Sequence, residues 1–163
     1  MLSQSQRKGI IIAGGLGKRL LPSTYSTNKH LFLLYDKPMI YYPLTTLMLG
    51  GVRDILIVTL ESSIDSYNNL LGDGSKWGIN IQYSIQKEPK GIADAILLGE
   101  EFVGKSNLVI ILGDNIFHGN NLYDLWGFAD SFNNGSNIFA YQVSDPERYG
   151  IVDIDANGYA LTI

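Results

Sequence analysis

The chain has 163 residues, and its 12 Lys and Arg against 16 Asp and Glu give a formal net charge of −4. That length is enough for a core of its own, and 45% hydrophobic residues exclude a disordered chain. The acidic balance without a basic run argues against a sequence-independent nucleic-acid binder, and the absence of cysteine excludes disulfides, thiolate metal sites and cysteine nucleophiles. The polar opening MLSQSQRK carries no apolar signal region, and no run approaches the ~18 apolar residues of a membrane span. A cytoplasmic protein is expected, with residues 1–8 as a disordered lead-in and one domain, or part of one, over residues 9–163.

Along the chain, Gly9–Ala13 is the first apolar, β-branched run. Pro38–Leu49 then has helical spacing at Met39, Ile40, Leu44, Leu47 and Met48, with Pro43 arguing against an unbroken helix and Gly50-Gly51 as the stop. Asp54–Leu60 is a second strand. Ser62 or Ser63 is placed to cap a helix over Ile64–Leu71, closed by Gly72. Ile79–Gln86 is a third strand, Ile92–Val103 a helix ended by Gly104, and Leu108–Leu112 a fourth strand. A fourth helix is expected over Leu122–Phe132, with Leu122, Leu125, Trp126 and Ala129 on one face. Continuous apolar runs suit strands buried on both faces. Their alternation with helices predicts an α/β, doubly wound, mostly parallel Rossmann-like sheet. The chain then ends in antiparallel strands, expected at Ile138–Val143, Gly150–Asp155 and Tyr159–Ile163, with Asn157-Gly158 as a hairpin turn.

The first strand–helix junction reads Ala13-Gly14-Gly15-Leu16-Gly17-Lys18-Arg19-Leu20. Glycines there let backbone N–H groups approach a phosphate, and Lys18 and Arg19 supply positive charge. Taken alone, it is equally a glycine-rich turn. A P-loop would need glycine where Ile12 stands and Ser or Thr at Arg19, and a dinucleotide fingerprint from Gly15 would need Gly or Ala at Leu20. Both fail. Asp114 follows the run LVIILG at the carboxyl end of a buried strand, where open α/β sheets gather ligands and a carboxylate suits a hard cation.

Several motifs occur in order: Gly-Gly-x-Gly-x-Arg-Leu over Gly14–Leu20, Lys29, Tyr35-Asp36-Lys37-Pro38-Met39-Ile40, Leu71-Gly72-Asp73-Gly74-Ser75, Leu112-Gly113-Asp114-Asn115 and Asp145-Pro146-Glu147-Arg148-Tyr149-Gly150. Over residues 8–163 this series resembles the sugar nucleotidyltransferases, and within them the enzymes that act on dTTP and glucose 1-phosphate. The resemblance implies a Mg²⁺-dependent, in-line transfer of dTMP from dTTP to glucose 1-phosphate, with no protein nucleophile. It places Gly14, Gly15 and Gly17 at the triphosphate, Arg19 and Lys29 on the phosphates, and Asp114 on the metal. Gln86, Pro89 and Gly91 match the segment that reads the pyrimidine, and Tyr149 and Gly150 the contact to glucose.

Departures from the family pattern qualify this reading. His30 stands where these enzymes usually carry Gln, so it falls among the substrate-binding positions and leaves uridylyl or cytidylyl transfer open. Asp94 replaces a usual Gln and would place negative charge near the nucleotide phosphates or sugar. The family's Glu-Glu-Lys-Pro segment, which contacts the sugar, and its second metal aspartate are absent, so a nucleotide-binding homologue without turnover is the alternative. The family tends toward tetramers, so homo-oligomerisation is the expectation for this chain.

Overall fold

The computed structural model describes residues 7–119, 121–131 and 135–162. These divide into two compact units, the first ending at Trp126 and the second starting at Gly127.

The first unit is built on a four-stranded sheet of β1 (Arg7–Ile12), β4 (Asp54–Thr59), β5 (Asn80–Ile85) and β6 (Asn107–Leu112), ordered β5-β4-β1-β6. All three pairings are parallel, with Ile10 opposite Leu56 on one side and Ile110 on the other. The expected doubly wound arrangement is therefore present. Pleating assigns alternate residues of the central strands to opposite faces. Ile55 and Ile57 join Ile11, Leu44, Leu47, Tyr67 and Leu71 in one core cluster, while Leu56 and Val58 join Ile10 and Ala95 in another. Both faces of β4 are thus covered, which is why its sequence is apolar without alternation. The first cluster is covered by α1 (Tyr41–Leu49) and α2 (Ile64–Leu71), the second by α3 (Ile92–Leu97) and α4 (Glu100–Val103). Each fully buried Ile or Leu contributes about 1.5–3 kcal/mol.

Four details differ from the sequence reading. The helix α1 is unbroken despite Pro43, because the proline lies in the first turn, where its missing N–H would have had no helical partner. The preceding Lys37–Pro38 is a short strand, β3, paired with β2 (Leu33–Leu34) across a turn in which Tyr35 has φ 62°. The side chain of Ser63 does not cap α2; it accepts instead a 3.5 Å hydrogen bond from Asn28 Nδ2. The helix expected over Ile92–Val103 is interrupted at Gly99, where the chain passes so close to β1 that a Cβ would lie 2.5 Å from Ile10 Cδ1. The last helix, α5 (Leu122–Asp130), starts where expected, and Phe132 lies outside the described residues. Trp126 packs against Gly50, with the Arg7 guanidinium 5.3 Å from its ring centroid.

In the second unit, β7 (Asp153–Ile154) and β8 (Ala160–Thr162) form the expected antiparallel hairpin. Its turn is closed by Asp155 Oδ1, which accepts from the backbone N–H of Asn157 at 2.9 Å and of Tyr159 at 2.8 Å, with Gly158 at φ 85°. The strand expected over Ile138–Val143 does not form among the described residues. Its apolar side chains from Ile138 to Tyr141 are exposed, and a β-prone run without a ladder partner gains no regular structure from propensity alone.

Candidate functional site

The strand order reverses between β1 and β6, so the chain leaves the sheet in opposite directions there and opens a crevice at the strands' carboxyl ends. On one side, β1 runs into Ala13, Gly14 and Gly15; on the other, β6 runs into Gly113 and Asp114. The two exits are tied together by the backbone bond from Gly113 N–H to Ile12 C=O (2.9 Å), while Ala13 N–H bonds to Val58 C=O of β4 (2.7 Å).

The loop after β1 turns at Gly17, in the left-handed region at φ 59° and ψ 32°, and continues as a 3₁₀ turn over Lys18–Leu20. Glycine is required at Gly17, because a Cβ there would also meet Thr24 Cγ2 at 2.8 Å. The hydroxyl of Thr24 donates to the Gly17 carbonyl at 3.1 Å and pins the turn. Lys18 and Arg19 are exposed at the far end of the loop.

Asn28 caps a second 3₁₀ turn, Lys29–Leu31, its Oδ1 accepting from the His30 backbone N–H at 3.1 Å. This capping points Lys29 back over the loop, where its Cε would lie 3.7 Å from a Cβ at Gly15. The Lys29 ammonium ends in an ion pair and hydrogen bond with Asp114 Oδ2. Burial pushes the Asp114 carboxyl up, but the Lys29 hydrogen bond and charge outweigh it and hold the group below its usual range. The cation and the carboxylate therefore meet in the crevice.

His30 faces inward, only 2% exposed, beneath the loop rather than in the crevice. Its ring lies flat against Gly113, where a Cβ would be 2.9 Å from His30 Cδ2. Nδ1 is 2.6 Å from Asn28 Oδ1 and 3.4 Å from the Tyr67 hydroxyl. An amide oxygen only accepts, so the ring carries its proton at Nδ1. Burial, reinforced by the neighbouring Lys29 charge, lowers its pKa to about 4, and the imidazole is neutral at pH 7. Asn28 completes the arrangement by donating from Nδ2 to the Ala13 carbonyl at 3.0 Å, directly before the glycines. Sequence reasoning missed this role for Asn28, although Asn ahead of a short Lys-His-Leu turn is a capping signal.

Gln86 lies at the end of β5, 3% exposed, its backbone N–H bonded to the Thr59 carbonyl at 2.8 Å. Its Nε2 donates to Asp94 Oδ2 at 2.8 Å and to the Gly91 carbonyl at 3.2 Å, and its Oε1 faces Gly14. Gly91 sits at φ 99° and ψ −174° at the start of α3, a backbone conformation suited to glycine. Pro89 is exposed in the loop between them. Asp94, expected to lie near phosphate or sugar, is thus engaged by Gln86.

The structure brings Gly14, Gly15, Lys29, Asp114, Gln86 and Gly91 to the carboxyl edge of one sheet. Arg19 stands apart at the loop's outer end. Tyr149 and Gly150 belong to the second unit, exposed after a 3₁₀ turn over Pro146–Arg148, with the Tyr149 N–H bonded to the Pro146 carbonyl at 3.0 Å. Among the described residues no three potential ligands cluster tightly enough to hold a metal ion by themselves. Asp114 offers one carboxylate on the crevice. This fits a hard cation such as Mg²⁺ whose remaining ligands are phosphate oxygens and water. No helix among the described residues is long and apolar enough to cross a membrane.

A parallel sheet with a glycine-rich first loop and an acidic residue at the reversal point defines a nucleotide-binding α/β protein. The sequence profile of the nucleotidyl transferase family matches residues 8–163, and the chain belongs to that family. It is 51% identical over 159 residues to a glucose-1-phosphate thymidylyltransferase of Xanthomonas campestris pv. campestris, covering 98% of this chain and 54% of that protein. A crystal structure of a candidate glucose-1-phosphate thymidylyltransferase from Bacillus anthracis, in complex with sucrose, superposes with a TM-score of 0.85 at 39% identity, covering 92% of this chain and 61% of that one. A UDP-glucose pyrophosphorylase complexed with UDP-glucose superposes with a TM-score of 0.61 at 28% identity, covering 76% and 53%. The chain spans about half the length of the curated relatives it matches.

Proposed function

We propose that this chain carries the nucleotide-handling part of an enzyme that transfers dTMP from dTTP to glucose 1-phosphate, giving dTDP-glucose and pyrophosphate. The observation that carries the reading is the meeting of Lys29 and Asp114 beside Gly14 and Gly15 at the sheet's reversal point. The relatives named above support the choice of substrates.

The backbone N–H groups of Gly14, Gly15 and Gly17 would face the triphosphate, and Lys29 and Arg19 would neutralise it. A phosphate oxygen of the sugar phosphate attacks the α-phosphorus as the bond to the β-phosphate breaks and pyrophosphate leaves. The chain's contribution is alignment and charge compensation, with no covalent intermediate on the protein. Asp114 is the group that would hold Mg²⁺, which when bound offsets phosphate charge and orients the transferring group. Gln86, Pro89 and Gly91 would line the base pocket, and Tyr149 and Gly150 the glucose. His30 supports the loop from below in this reading, so the pyrimidine is selected by Gln86 and its neighbours. We place the reaction in the cytoplasm, with the product entering dTDP-rhamnose and polysaccharide synthesis and the protein acting as a homo-oligomer.

The test is pyrophosphate release from dTTP, glucose 1-phosphate and Mg²⁺, measured beside an Asp114→Ala control. Release that depends on all three and falls at least a hundredfold in the control is expected. Equal release from both proteins would reject the assignment.

A further inference from the structure

The amide of Gln86 has a fixed orientation in this chain, and the reason is chemical. Both atoms that its Nε2 approaches, Asp94 Oδ2 at 2.8 Å and the Gly91 carbonyl at 3.2 Å, can only accept. A flipped amide would bring its oxygen against a carboxylate and a carbonyl. The NH₂ group therefore stays on the Asp94 side and Oε1 on the Gly14 side. Among the described residues no fully enclosed side-chain polar atom lacks a partner. Oε1 accepts no hydrogen bond from the described residues, so this oxygen is not fully enclosed although the side chain is nearly buried. What Gln86 presents toward the glycine loop is an acceptor alone, with both donors already committed.

We infer that Asp94 is a specificity-positioning residue. By holding the Gln86 amide, it leaves a lone acceptor to meet a nucleotide base, and so selects bases with an N–H donor at their Watson–Crick centre. Thymine and uracil carry that donor at N3, flanked by two carbonyls. Cytosine has a bare, accepting N3, which would face Oε1 lone pair to lone pair. A site arranged to accept a hydrogen bond rejects the analogue that cannot donate it far more strongly than an apolar pocket rejects a size change. An amide free to turn would serve either base equally. The carboxylate removes that freedom with a charge-assisted bond, stronger than a neutral one. The inference rests on the nucleotide-site reading above and adds to it the residue that sets pyrimidine choice.

The test is calorimetric titration of the chain with dTTP and, separately, dCTP, each with Mg²⁺, for wild type, Asp94→Ala and Asp94→Asn. Wild type is expected to prefer dTTP at least tenfold. Asp94→Ala should reduce that preference at least fivefold while dTTP still binds. Asp94→Asn, which can still offer an oxygen to the amide, should keep more than half of it. Should Asp94→Ala not fold, Asp94→Lys replaces it, and the preference should fall at least as far, because a cation asks for Oε1 in place of the NH₂ group. A dTTP to dCTP ratio that is near one in wild type, or unchanged when Asp94 is lost, overturns the inference. So does equal weakening of both nucleotides. Wild type binding neither nucleotide would instead reject the nucleotide-site reading, and this inference with it.

Discussion

Lys29 and Asp114, 85 residues apart in sequence, form an ion pair across the crevice between the first loop and the end of β6. Their side chains are 24% and 37% exposed, so the pair is partly screened by water. A pair in that setting contributes at most about 1 kcal/mol to folding. Lys29→Ala should therefore change stability by less than about 1 kcal/mol in denaturant titration, yet weaken dTTP binding at least tenfold in calorimetry. Comparable losses in both would make the pair a structural strut.

Asn28 joins three segments through one side chain: the Ala13 carbonyl, the His30 turn and Tyr67, whose hydroxyl donates to its Oδ1 at 3.3 Å. Asn28→Ala leaves these partners under-bonded in a region closed to water. The expected cost is about 2–4 kcal/mol, combining a lost cap with unsatisfied buried groups. Asn28→Asp keeps the acceptor and gives up only the donor that serves Ala13 and Ser63, so it should cost less. Equal losses for both substitutions in chemical denaturation would contradict this division of labour.

The buried His30 gives stability a pH dependence with a definite sign. Its pKa is lowered from 6.5 to about 4, so between those values the unfolded chain takes up a proton that the folded chain refuses. Its contribution is complete above pH 6.5 and is lost as the pH falls toward 4, at up to about 1.4 kcal/mol per pH unit. His30→Gln removes the titrating group. Stability measured from pH 7 to 4.5 should fall more steeply in wild type than in the variant, and parallel curves would refute the assignment.

Gly113 is confined by the His30 ring, which a Cβ would approach to 2.9 Å. Gly113→Ala should destabilise by about 1–3 kcal/mol through overpacking. In a His30→Ala background the added methyl has room, so the two effects should be non-additive by at least about 1 kcal/mol. Simple addition in a double-mutant cycle would show that the two residues do not press on each other.

The features legible in the sequence were those whose cause is local or periodic. The runs at Ile10–Ile12 and Ile55–Val58 read as buried strands because both faces of the sheet are covered there, and the Asn157-Gly158 turn announced its hairpin. Leu108–Leu112 is a strand too, but at the sheet's edge, with Ile110 41% exposed. What escaped depends on contacts between distant segments. The break at Gly99 exists because β1 passes against it, and nothing near Gly99 records Ile10. His30 stands at a substrate-binding position of the family pattern, and nothing near it in sequence records that its ring packs against Gly113. Asp94 is expected from its sequence position to put a negative charge near the phosphates or sugar, and its partner Gln86 lies across the intervening loop. The run at Ile138–Val143 shows the converse, a strong local preference with no ladder to join.

The contact between the His30 ring and Gly113 has a mechanical consequence. His30 is the chain neighbour of Lys29, and Gly113 of Asp114, so the buried pair lies directly beneath the charged pair. The ring acts as a shim of fixed thickness, setting the width of the slot in which cation and carboxylate stand. Densely packed interiors yield little to added volume, so the slot cannot narrow further without displacing an imidazole from the core. The gauge of the crevice is thus set from below, by an aromatic ring buried under the loop.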